Sequence, residues 1–114
     1  MLKIYHNNRC SKSRETLQII QDANVEVEVI DYLKTPPTEV ELREILTQLN
    51  LPVEYLIRKS EAIYKADFKG KELTEDEWIK VLVQNPKLIE RPIVVNEDGE
   101  AILGRPPVNV SKLL

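Results

Sequence analysis

Residues 4–20 read IYHNNRCSKSRETLQII and hold the only cysteine of the chain, Cys10, and its only histidine, His6. Arg9, Lys12 and Arg14 stand around them. A thiol among bases, with Asn8 and Ser11 as further polar neighbours, has the surroundings of a nucleophile rather than of a core residue. The thiolate is the reactive form, and cations or a helix N-terminus bring its pKa to about 3.5–7.5, against about 8.5 for a free cysteine. The pattern after Cys10 turns helical, so the thiol is expected at a helix start. There the first backbone N–H groups have no partner within the helix and the dipole is positive. Those N–H groups favour thiolate and also cradle an oxyanion.

Other thiol chemistries fail on residue types. Cys10 and His6 alone are too few for a structural zinc site, which takes four ligands, and no metal is expected. A phosphatase loop needs arginine six positions after its cysteine, where Thr16 stands. A dithiol motif needs cysteine at position 13, where Ser13 stands. Redox chemistry at Cys10 therefore takes its resolving thiol from another molecule.

The bases are local to this stretch. Residues 1–20 carry four Lys or Arg against one Glu, net +3, while the remainder carries twelve bases and eighteen acids, net −6. An acidic chain with one small basic centre suits a small anionic ligand; no nucleic acid and no membrane partner is expected. The length of 114 residues implies one domain, 1–114, burying roughly 65% of its unfolded surface. One cysteine, no span-length apolar run and no signal-peptide layout lead to the expectation of a cytoplasmic protein.

The elements that must position Cys10 follow from periodicity. Leu2 to Tyr5 is a short apolar strand. A helix runs from about Cys10 to Ala23, with Leu17, Ile20 and Ile19 forming its apolar stripe. From Val25, Val27 and Val29 alternate with Glu26 and Glu28 as a half-buried strand. Strand, helix, strand in this span reads as a right-handed βαβ unit. A helical insertion follows, at about 38–89. Thr38 with Glu41, and Thr74 with Glu77, are capping boxes that start two helices. Leu42, Ile45, Leu46 and Leu49 line the first; Trp78, Val81 and Leu82 line the second. A shorter helix is expected from Glu54 to Lys65. RPIVVNEDGEAIL reads as a hairpin turning at Asn96–Gly99, and RPPVNVSKLL as a closing helix.

Five separated segments, YHNNRCSKSRETL, YLKTPPT, LIRKSEAIYK, NPKLIERPIVV and GRPP, together resemble the glutaredoxin-dependent arsenate reductase family, over Ile4 to Leu114. The resemblance implies an α/β, thioredoxin-like fold with a mixed four-stranded sheet in the order β-α-β, helical insertion, β-β-α. It implies Cys10 as the catalytic residue, attacking pentavalent arsenic to give a covalent adduct that glutathione and glutaredoxin resolve. Arg58, Arg91 and Arg105 match the oxyanion-binding arginines, a role suited to the permanent charge and planar donor fork of arginine. His6 and Ser13 match positions that tune and hydrogen-bond the cysteine; as a neighbouring imidazolium His6 would favour thiolate. Pro92 matches a cis-proline, which places Arg91 beside Cys10. No bound cofactor is implied; glutathione is a co-substrate, glutaredoxin a partner, and a monomer is expected. At positions 8 and 9 the chain departs from the pattern, with Asn8 for a proline and Arg9 for a less basic residue.

Two other functions share this scaffold. Spx-like regulators bind RNA polymerase and respond to oxidation, but they use a Cys-x-x-Cys switch that Ser13 removes. A glutathione-linked thiol transferase would use Cys10 without an oxyanion.

Overall fold

The computed structural model describes every residue, Met1 to Leu114. Its elements run β1 (Leu2–His6), α1 (Ser11–Asp22), β2 (Val27–Asp31), α2 (Glu39–Leu49), α3 (Glu75–Gln84), β3 (Ile93–Val95) and β4 (Ala101–Leu103). The chain divides into two compact units: Met1–Thr35 with Arg91–Leu114, and Pro36–Glu90. No helix is long and apolar enough to cross a membrane.

The first unit is a mixed four-stranded sheet in the order β2-β1-β3-β4. β1 pairs with β2 in parallel, His6 opposite Asp31, and with β3 antiparallel, Tyr5 opposite Ile93. β3 pairs with β4, Ile93 opposite Leu103. Ile4, Val94 and Ile102 thus form one row across the sheet. With Leu2 they meet Ile20 of α1 and Val110 of the C-terminal turn in a core that Leu17, Ile19 and Leu113 surround. Burial of such side chains contributes about 1.5–3 kcal/mol each and fixes the register, since a slip of one residue would turn this row outward.

The register brings the chemistry to one edge of the sheet. β1 and β2 end side by side, so Asn7 and Tyr32 emerge at the same level. β3 starts and β4 ends at that level, so Arg91–Pro92 and Gly104–Arg105 arrive there too.

β2 departs from the strict alternation read from its valines: Val29 is 48% exposed. The strand is at the edge of the sheet and is covered less completely than β1. The closing segment is a 3-10 turn, Pro107–Leu113, rather than an α-helix.

In the second unit both capping boxes close. Thr38 accepts from the Glu41 N–H and Thr74 from the Glu77 N–H, each at 3.2 Å, and each glutamate returns to the cap's own N–H. Leu42, Ile45 and Leu46 of α2 are buried, as are Trp78, Ile79 and Leu82 of α3. Val81 is only partly covered, and Ile79 takes the inward place assigned to it. The helix expected at Glu54–Lys65 is instead two short pieces, a 3-10 turn at Val53–Leu56 and a π turn at Tyr64–Phe68. Between them Ile57 forms a β-bridge with Ile89, flanked by 2.7 Å backbone bonds from Arg58 to Leu88 and from Glu90 to Leu56. A continuous helix would forfeit those bonds.

Candidate active site

Cys10 is the N-cap residue of α1, with extended backbone angles, and its carbonyl accepts the first helical bond from Arg14 at 3.0 Å. Its Sγ takes the place of a capping oxygen. No capping bond of standard geometry is closed, yet the N–H groups that a cap would serve still act on the sulfur. Burial pushes the thiol pKa up. The Ser13 N–H, the Arg91 guanidinium through hydrogen bonding and charge, and the Lys12 N–H pull it down by more, so the net shift is below the ordinary value. Cys10 is 9% exposed, so the groups acting on its sulfur do so largely out of solvent.

The loop into α1 is held by its own polar groups. The Cys10 N–H donates to the Asn7 carbonyl, the Arg9 N–H to Asn7 Oδ1, and the Arg14 guanidinium to the Asn8 carbonyl, at 3.0, 3.0 and 2.9 Å. Arg14 thereby braces the loop, with its side chain at the exposed surface. The Ser13 hydroxyl is fully buried, accepts from the Asn7 N–H at 3.1 Å and lies 2.7 Å from His6 Nδ1. Ser13 reaches Cys10 through its backbone N–H, whereas its hydroxyl serves the histidine.

Burial lowers the pKa of His6, against the raising effects of the Asn8 hydrogen bond and Asp31, with Arg14 lowering it further. The positive side chain acting on the Cys10 sulfur is Arg91.

Arg91 precedes β3, and the Arg91–Pro92 peptide bond is cis, as is Arg105–Pro106. The Arg105 guanidinium donates to the Arg91 carbonyl at 3.2 Å, which ties the two segments. Gly104 makes that approach possible. A Cβ there would lie 2.5 Å from Thr16 Oγ1 and 2.7 Å from Pro92 Cγ, and the Gly104 N–H donates to the Pro92 carbonyl at 2.8 Å.

Arg58 belongs to the Pro36–Glu90 unit. Its guanidinium lies 2.9 Å from Glu90 and 3.6 Å from Glu61. No three His, Cys, Asp or Glu side chains gather to hold a metal ion.

Sequence reasoning did not single out Tyr32. It is 1% exposed, and its hydroxyl closes no hydrogen bond of standard geometry. Burial raises its pKa, while Arg91 and Asn7 lower it and Cys10 raises it again. A tyrosine one residue beyond a strand parallel to β1 was the available signal.

The ArsC family model matches residues 5–113. The chain belongs to the ArsC family. It is 36% identical to an arsenate reductase of Neisseria meningitidis, covering 99% of this chain and 97% of that protein. It is 45% identical to the uncharacterised protein YfgD of Escherichia coli (strain K12), covering 99% and 96%. The structure of an arsenate reductase from Vibrio cholerae superposes with a TM-score of 0.92 at 42% identity, covering 99% of this chain and 97% of that one. The four-stranded sheet is the thioredoxin-like sheet of this ArsC fold.

Proposed function

We propose that this ArsC-family protein reduces arsenate to arsenite with Cys10 as nucleophile. The observation that carries the reading is the thiol at the α1 N-cap, drawn toward thiolate by Arg91 and the first-turn N–H groups. The names of its relatives as arsenate reductases supply the substrate.

In this reading the Cys10 thiolate attacks pentavalent arsenic. An S–As bond forms, one arsenate oxygen leaves as water, and arsenic remains +5. The glutathione thiol displaces a second oxygen, which leaves as water, and a second S–As bond forms with arsenic still +5. A glutaredoxin thiolate then attacks the glutathione sulfur. The new S–S bond forms, the electron pair of the S–As bond stays on arsenic, and arsenic falls to +3. Hydrolysis of the remaining S–As bond frees arsenite and restores Cys10. Arg91 offers charge and a donor fork to the oxygens as charge builds on them, and Arg105 holds the Arg91 backbone. Arg58 joins the oxyanion-binding set on the family resemblance. The buried His6 and Ser13 set the loop that carries the thiol. The reading includes a cytoplasmic monomer without bound cofactor.

The test is a coupled assay with arsenate, glutathione, glutaredoxin, glutathione reductase and NADPH. Arsenate-dependent NADPH loss that disappears in Cys10→Ser is the expected result. No turnover from a folded protein whose Cys10 still alkylates quickly would remove arsenate as the substrate.

A further inference from the structure

We propose that the Tyr32 hydroxyl is a hydrogen-bond donor to the tetrahedral oxyanion held at Cys10, which makes it a fourth kind of group in the site beside thiolate, backbone N–H and guanidinium. The proposal rests on the reading that Cys10 serves an oxyanion. It does not require that oxyanion to be arsenate.

Position is the first argument. The parallel register sets His6 opposite Asp31, so Tyr32 leaves β2 where Asn7 leaves β1. Asp31 fixes the turn that follows: its carboxylate accepts from the Leu33 N–H at 3.1 Å, and its carbonyl from the Lys34 and Thr35 N–H groups at 3.1 and 2.9 Å. The ring is thereby directed inward, with 1% exposure.

Hydrogen-bond accounting is the second. A buried hydroxyl that pairs with nothing costs about 1–3 kcal/mol, and such orphans are uncommon in folded proteins. The Tyr32 hydroxyl closes no bond of standard geometry, while Arg91 and Asn7 both act on it through hydrogen bonding. A guanidinium has donors and no acceptor, so whatever Arg91 offers the phenol oxygen leaves the phenol proton unspent. The carbonyl of the Asn7 side chain already accepts from the Arg9 N–H. The phenol proton is thus available to a further acceptor beside Arg91 and Cys10, both of which act on Tyr32. An oxyanion oxygen on Arg91 fits that description.

Chemistry is the third. Burial keeps the phenol protonated through the physiological range, so it donates without adding charge. A fixed neutral donor stabilises an anion bound next to the thiolate with no cost from a second negative group.

The experiment measures protection of Cys10 from iodoacetamide by sulfate, phosphate and arsenate, in the wild-type protein and in Tyr32→Phe. The half-protecting concentration is expected to rise about tenfold or more in Tyr32→Phe, the loss of one hydrogen bond to a charged acceptor. Each protection curve is normalised to that protein's own alkylation rate without anion. An unchanged half-protecting concentration overturns the proposal, and so does a wild-type protein that none of the three anions protects. The Tyr32 13Cζ resonance gives the answer without a substitution: it is expected to move as sulfate is added to the wild-type protein, and a static resonance overturns the proposal. Protection that depends on Tyr32, without arsenate turnover, refutes arsenate as substrate and upholds the role of Tyr32.

Discussion

Arg91 and Arg58 are the same residue type put to different uses. Arg58, in the Pro36–Glu90 unit, has carboxylates at 2.9 and 3.6 Å, and its charge is offset where it stands. Arg91, in the sheet unit, acts on the Cys10 sulfur and the Tyr32 phenol. Arginine content alone therefore does not mark the activating group; the group that each guanidinium acts on does. The same contrast runs through the architecture. The two capping boxes of the helical unit close within a few residues, whereas the sheet unit gathers its chemistry from four strand ends far apart in the chain.

The sharpest way to break this comparison is to remove each arginine. Arg91→Ala is expected to raise the alkylation midpoint of Cys10 toward the ordinary cysteine range and to cut arsenate turnover about 10²–10³-fold, as for loss of an oxyanion donor. Arg58→Ala is expected to leave the midpoint in place. Equal shifts from both variants in a pH series of alkylation rates would erase the distinction.

Glycines sharpen it next. Gly104→Ala drives a methyl group into Thr16 and Pro92, and urea unfolding is expected to show a loss of about 1–3 kcal/mol from overpacking, together with lower turnover. Gly70, in the helical unit, has open space and φ of +82°. Gly70→Ala is expected to cost about 1 kcal/mol from backbone conformation alone, with turnover unchanged.

Capping residues follow. Thr38→Ala and Thr74→Ala each remove a closed capping box and are expected to cost about 1 kcal/mol. The midpoint of Cys10 alkylation is expected to stay where it is, since both residues belong to the helical unit.

The smallest effect is the acid limb of stability. His6 has its folded pKa lowered, chiefly by burial. As pH falls below about 6.5, the unfolded chain takes up a proton that the folded chain resists, so this contribution to stability declines through the folded pKa. The melting temperature should drop over that interval in the wild-type protein and drop less in His6→Asn.

The legible parts of this protein were those whose cause is local. Thr38 with Glu41 and Thr74 with Glu77 announce their helices through atoms three residues apart, and both boxes are closed in the structure. The expectation of Cys10 at a helix start came from the change of period after Tyr5, and the α1 boundary agrees with it. The β-α-β order and the late hairpin were read the same way. What stayed hidden depends on distant partners. The bridge of Ile57 to Ile89 is what divides the expected Glu54–Lys65 helix, and no residue within that stretch signals Ile89. Val29 looks like its neighbouring valines until the sheet order puts β2 at an edge. Tyr32 joins Cys10 only through the pairing of His6 with Asp31. The burial of His6, which lowers its pKa, is likewise not revealed by its polar sequence neighbours.

The central claim is that Cys10 is an activated thiolate, and the direct measurement is the rate of its alkylation by iodoacetamide across pH in the wild-type protein. The rate should rise with a midpoint clearly below the value of about 8.5 for free cysteine, and that midpoint should move upward in Arg91→Ala. A wild-type midpoint at or above that value would mean that burial outweighs Arg91 and the Ser13 and Lys12 N–H groups, and would contradict the account.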